Sequence, residues 1–180
     1  MEKKLEVYAF IDSQNLNMGV SNDIIDKDTS KILYKGWKLD FSKFRLYLKN
    51  KYGVTEAYLF IGNKPGNESM YNALQESGFN LILKPTLPYK KDGVMNTKGN
   101  VDAELVLYAS AILYEKYDEA IIVSGDGDFL CLAEHLDNQG KLKKILTPNF
   151  RYSSLLNKFA DKILVIGKLK SQLEYFSRKK

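Results

Sequence analysis

The sequence has one cysteine, one histidine, one tryptophan and four prolines in 180 residues. A single cysteine, Cys131, cannot form a disulfide or a cysteine-based zinc site within one chain. The lone histidine, His135, stands in a helical pattern seven residues after Asp128, and no serine or cysteine sits at a recognisable nucleophile turn. That argues against a histidine-dependent triad. No apolar run approaches the roughly 20 residues that a membrane helix needs. The start, Met1-Glu2-Lys3-Lys4-Leu5, lacks the apolar core and small-residue cleavage site of a signal peptide. These absences lead us to expect a cytoplasmic protein without a membrane partner. Gly125-x-Gly127 has no third glycine and no phosphate-cradling lysine follows it, so nucleotide-loop chemistry is also weak.

What is present fits an ordinary globular chain. Hydrophobic residues make up 44% and charged residues 27%, and 180 residues suffice for one domain with a sizeable core. We expect residues 1–180 to form that single domain, with a helix at about 168–178 packed on it. Lysine and arginine number 27 against 22 acids, a net charge of +5. This modest excess permits an anionic partner without demonstrating one.

Apolar runs alternate with helical patterns. Leu5 to Asp12 is dense in β-branched and aromatic residues and reads as a central strand that ends on an acid. Residues 21–38 read as a solvated polar insertion. A calcium loop fails there, because the sixth position from Asp26 is Lys31 rather than glycine and the twelfth is Trp37 rather than glutamate. Trp37 is expected to anchor the insertion to the core. Asp40 caps a helix that Gly53 ends, and Val54 to Ile61 is the second strand. A helix over 68–77 and a strand over 79–83 follow.

Residues 84–100 lose all periodicity, and Pro85, Pro88, Gly93 and Gly99 argue against regular structure. Lys84, Lys90, Lys91 and Lys98 with Tyr89 suit a nucleic-acid backbone and a stacked base. A solvated lysine-rich loop is the plainer alternative. Asn100 to Tyr114 reads as a helix with Asn100 as its cap, Asp102 in its first turn, and Val101, Leu105, Tyr108, Ala109 and Ile112 as its buried stripe. Glu119 to Ser124 is the fourth strand, and Lys141 to Thr147 the fifth. Tyr152 to Phe159 reads as a short helix.

The fourth strand runs into Ser124-Gly125-Asp126-Gly127-Asp128-Phe129, a turn before the next helix. Ligands bind at such strand-to-helix turns in parallel sheets. Locally, Asp126 can simply cap the helix and Asp128 favour its N-terminus. Two close acids also repel unless a cation or shared proton relieves them. The strand–helix alternation implies an α/β fold with helices on both faces of a parallel sheet. That would bring Asp12, Asp102, Asp126 and Asp128 to one edge. Oxygen donors of this kind suit Mg²⁺ or Mn²⁺.

Ala9 to Leu16, Lys98 to Leu105 and Ile122 to Phe129 resemble, in order and strand context, the NYN domain family, the LabA-like branch of the PIN-like nucleases. The resemblance implies a three-layer α/β/α PIN-like (Rossmann-like) fold around a central, mostly parallel sheet of about five strands. It implies a Mg- or Mn-dependent ribonuclease, an endoribonuclease acting on RNA, single-stranded by preference. Asp12, Asp102, Asp126 and Asp128 would be its catalytic and metal-binding acids, supported by Asn15 and Ser124. Many relatives carry a further acid six residues after the helix aspartate, where this chain has Tyr108, and the usual Ser-Gly-Asp-Ser-Asp-Phe is here Ser-Gly-Asp-Gly-Asp-Phe. The alternative is therefore an RNA-binding or regulatory module with a weakened metal site. A two-component receiver domain fits poorly, since Asp12-Ser13 and Lys84-Pro85 do not supply its acids. Monomer and homodimer both stay open.

Overall fold

A computed structural model describes residues 5–85, 87–91, 94–98 and 101–177, with the backbone alone over 87–91 and 94–98. Val7–Asp12 (β1) runs straight into Ser13–Ser21 (α1). Ile24–Ile25 (β2) and Ile32–Tyr34 (β3) pair antiparallel, so the insertion expected as a bare loop is a small hairpin. Asp26 shapes its turn by accepting the Thr29 backbone N–H (2.7 Å) and hydroxyl (2.8 Å). Trp37 is buried in the core, as expected.

Phe41–Tyr52 (α2) begins where the Asp40 carboxylate accepts the Lys43 N–H (3.0 Å). It ends at Gly53, whose φ of 71° few other residues adopt without strain. Val54–Asn63 (β4), Glu68–Glu76 (α3) and Asn80–Pro85 (β5) follow. Leu87–Lys91 (β6) and Val94–Lys98 (β7) then form an antiparallel hairpin, Lys91 paired with Val94. This corrects the reading of residues 84–100 as irregular. Asp92-Gly93 between alternating segments is a strong two-residue hairpin signal, and a proline is tolerated in a strand that lies outside a sheet interior.

Asp102–Leu107 (α4) continues through a π-helical turn, Tyr108–Ile112. The Leu113 N–H donates to the Tyr108 carbonyl five residues back (2.9 Å), and the Ala109 carbonyl, freed from its helical partner, accepts the buried Tyr117 hydroxyl. The wider turn shifts the face by one residue. Leu113 is therefore buried, whereas Ile112, expected inside, is 49% exposed. Glu119–Val123 (β8), Leu130–Asn138 (α5), Leu142–Thr147 (β9) and Ile163–Val165 (β10) complete the sheet. Residues Ser154–Phe159 are a 3₁₀ stretch rather than an α-helix. The terminal helix, Lys170–Leu173 (α6), is shorter than expected, because Glu174 turns extended and bridges Leu39.

The central sheet has six strands in the order β10-β9-β8-β1-β4-β5, every pair parallel. The short strand β10 lies in residues 162–166, whose apolar run reads as a short strand or extended segment, and joins the five longer strands of a wholly parallel sheet. Strand β1 is buried along its whole length, which explains an apolar run without alternation. Val7, Ala9 and Ile11 face one core with Leu16, Val20, Phe44 and Leu48. Tyr8 and Phe10 face the other, with Leu105, Ala109, Leu132 and Leu136. The result is an α/β/α fold consistent with the PIN-like architecture. No helix among the described residues is long and apolar enough to cross a membrane.

Candidate functional site

Strands β1 and β8 lie side by side, yet α1 packs on one face of the sheet and α5 on the other. The chain therefore diverges above these two strands and leaves a crevice at their carboxyl ends. This is the switch point where open α/β sheets bind ligands. Asp12 ends β1, and Ser124 follows the register pair Ile11–Val123.

A hydrogen-bonded lattice ties the two strand ends together. Asp12 is 5% exposed and caps α1, one oxygen accepting the Asn15 N–H at 3.0 Å. Its other oxygen accepts the hydroxyl of Ser124, itself buried, at 3.3 Å. The Ser124 Oγ in turn accepts the Asp126 N–H (3.2 Å), and the Asn15 Oδ1 accepts the Gly125 N–H (2.9 Å). Asn15 and Ser124 thus hold the two turns in fixed relation.

Burial is the main cause that raises the Asp12 pKa above the ordinary carboxylate value. The Asn15 N–H opposes it, the charge of Asp102 adds to it, and the Ser124 and Gln14 hydrogen bonds oppose it more weakly. Asp102, half-buried at the start of α4, therefore lies close enough for its charge to be felt. The hydroxyl and the helix N-terminus favour the charged form, but burial and the second acid outweigh them.

The other two acids lie in the turn after β8. Asp126 is half-exposed and turns one oxygen to accept the Asp128 N–H (3.0 Å), which is the local capping role. Asp128 is exposed. Among the described residues, no three acidic, histidine or cysteine side chains come together closely enough to enclose a metal ion. The four acids expected at one edge therefore do not form a closed cage. Asp12 feels the charge of Asp102 here, with the Ser124 hydroxyl and the Asn15 amide as its polar neighbours. Mg²⁺ is commonly held by one or two carboxylates and several waters. Two carboxylates would suit one largely hydrated ion rather than an ion stripped of water.

The residue match decides the family. The NYN domain model covers residues 6–167. The chain belongs to the NYN domain family. Membership points to a nuclease-like, RNA-related function, and nucleases of this type generally use divalent metals. A crystal structure of a protein of unknown function from Vibrio parahaemolyticus is similar, with a TM-score of 0.67 and 24% identity over 92% of this chain and 95% of that one. At that identity the likeness shows the fold alone. No curated protein matches the chain.

The remaining expected residues of this NYN domain lie further out. Lys84, at the end of β5, forms an ion pair with Glu104 in the first turn of α4 (2.7 Å), so its charge is already partnered. Tyr89, Lys90, Lys91 and Lys98 fall on the β6–β7 hairpin, and their side chains lie outside the described residues. Tyr108, standing where many relatives have an acid, packs edge-on against Phe60, the register partner of Asp12. Its ring contributes packing beside the crevice in place of a charge. The segment after β9 was not legible as part of the site. Pro148 to Ser153 seats directly on the Gly125–Gly127 turn: a Cβ at Gly127 would meet the Ser153 Oγ at 2.5 Å. A side chain at this position, where relatives usually have serine, would make the Ser153 hydroxyl move aside.

Proposed function

We propose that this NYN domain is a divalent-metal-dependent endoribonuclease that hydrolyses phosphodiester bonds of single-stranded RNA. The observation that supports it most is a buried carboxylate, Asp12, held by Ser124 at the sheet's switch point and facing the like charge of Asp102. Like charges near one another disfavour the doubly charged state, and a bound cation would stabilise it. Asp12 and Asp102 would hold Mg²⁺ or Mn²⁺, with Asp126 and Asp128 reaching the ion's water shell. When bound, the ion would lower the pKa of a coordinated water and stabilise charge developing on the phosphate.

The chain's own contribution is orientation. The Asn15 N–H and the Ser124 hydroxyl each take one oxygen of Asp12, which fixes the carboxylate plane and leaves further lone pairs for the crevice. Asn15 also pins the Gly125 amide, so the carboxylate and the β8 turn move together. Lysines of the β6–β7 hairpin, which leads from β5 to α4, are assigned to the RNA backbone.

Circularised RNA has no ends, so cleavage of it in Mn²⁺, abolished by chelator, is the expected result. Cleavage of linear RNA alone would remove the endonuclease assignment. The second reading, an RNA-binding module with a weakened metal site, is favoured by Tyr108 and by the absence of a three-acid cluster among the described residues. Calorimetry that detects no Mg²⁺ or Mn²⁺ binding at millimolar ion, together with intact RNA binding, would select it.

A further inference from the structure

The segment Pro148 to Ser153 leaves β9 at the same sheet end as Asp12 and is pinned along its length. The Asn149 side-chain amide donates to the Gly19 carbonyl of α1 (2.7 Å), and the Thr147 hydroxyl donates to the Asn149 carbonyl (3.2 Å). The Arg151 N–H donates to the Asn149 Oδ1 (2.7 Å), and the Gly167 N–H to the Pro148 carbonyl (2.9 Å). The Ser153 N–H donates to the Gly125 carbonyl (2.9 Å), in the turn beside Asp12. The fit is close on both sides. A Cβ at Gly19 would come within 2.5 Å of the Pro148 side chain, and one at Gly125 within 3.1 Å of the Tyr152 Cβ.

At the tip of this fixed loop, Phe150 is 50% exposed. Its ring meets Tyr34 edge-on, at 6.4 Å between centroids, and Tyr34 is itself anchored through its hydroxyl to the Val20 carbonyl (3.0 Å). Arg151, next in the chain, is exposed. A single exposed apolar residue on a loose tip would need no explanation. This one is a half-exposed aromatic ring on a loop held by several hydrogen bonds, beside a cation in the loop that packs on the Gly125 turn. Rings presented in this way, with a neighbouring cation for the backbone, bind successive bases of a single strand by stacking.

We propose that Phe150 is a stacking platform for a base of single-stranded RNA adjoining the Asp12 site, with Arg151 on the adjacent phosphate. The inference rests on the ribonuclease reading, because that reading supplies the strand. Stacking is tolerant of sequence, since every base has a flat face, so the platform sets the strand's register without selecting a base.

The test is anisotropy with a labelled, non-cleavable 2′-O-methyl strand in Mn²⁺, beside an abasic strand of equal length. Phe150→Ala is expected to bind the base-bearing strand roughly tenfold more weakly than wild type. Phe150→Trp should restore binding. On the abasic strand, wild type and Phe150→Ala should bind alike, and Arg151→Gln should weaken binding to both strands. Phe150→Ala binding the base-bearing strand like wild type overturns the platform, as does an equal loss on both strands. If the wild type still cleaves RNA in either case, the ribonuclease reading stands and this one alone falls. A wild type that neither binds nor cleaves RNA removes both.

Discussion

Replacing Asp12 with asparagine should stabilise the metal-free protein at neutral pH, although it removes the proposed metal ligand. Asp12 is 5% exposed, and burial first, with the charge of Asp102 adding to it, raises its pKa. The amide keeps the lattice: its oxygen can accept the Asn15 N–H, and its NH₂ can donate to the Ser124 Oγ 3.3 Å away. The change therefore removes a buried charge and reverses the hydrogen bond to Ser124, whose hydroxyl proton must find another acceptor. A carboxyl whose folded pKa exceeds its unfolded one contributes stability that is fully present below the unfolded pKa. That contribution is lost as pH rises through the folded pKa. The asparagine variant is free of this loss. Single stabilising substitutions commonly give about 1 kcal/mol. In a domain of this size that is about 2–4 °C in melting midpoint. Thermal melts in chelator, from below the ordinary carboxylate pKa up to neutrality, would show the gap open with rising pH. Mn²⁺ should then reverse the order, because only the wild type gains stability by mass action, about 2.7 kcal/mol at a hundredfold excess over Kd. A variant less stable than wild type at neutral pH in chelator, or a gap that ignores pH, would refute the argument.

Ser124→Ala leaves Asp12 without its hydroxyl donor and the Asp126 N–H without its acceptor, and should cost about 2 kcal/mol in denaturant unfolding. Leu113→Ala should cost about 3 kcal/mol as a buried truncation. Ile112→Ala should cost about 0.5 kcal/mol or less as a surface change, and the reverse order would contradict the π-helical turn. Lys84→Ala breaks a partly exposed pair with Glu104 and should cost about 1 kcal/mol or less, measured by the same unfolding. Since Glu104 already neutralises that lysine, the salt dependence of RNA binding should not change.

Strands β1 and β8 were legible because both are buried on two faces, and continuous apolar runs ending in Asp12 and Ser124 follow directly from that burial. The caps at Asp40 and Gly53 were legible for the same local reason. The π-helical turn was not. An inserted residue changes which side chain faces inward while leaving a pattern that still matches an α-helix, so Ile112 and Leu113 exchange places unseen. The β6–β7 hairpin was hidden by weight given to its prolines over Asp92-Gly93. At the site, chain order alone could bring four aspartates to one edge. Which oxygens are left for the crevice depends on local partners, and one oxygen of Asp126 is taken by the Asp128 amide. Phe150 carried no signal at all, because Pro148-Asn149-Phe150-Arg151 resembles any loop until its hydrogen bonds to Gly19 and its packing on Gly125 are visible.

The most direct test of the central claim is the initial rate of cleavage of labelled single-stranded RNA in Mn²⁺ and in chelator. Wild type, Asp12→Asn and Asp102→Asn would be compared at equal folded concentration. Cleavage by wild type in Mn²⁺ only is expected, with its loss in both variants while RNA binding persists. Undiminished cleavage by either variant, or wild-type cleavage that chelator leaves intact, would contradict it.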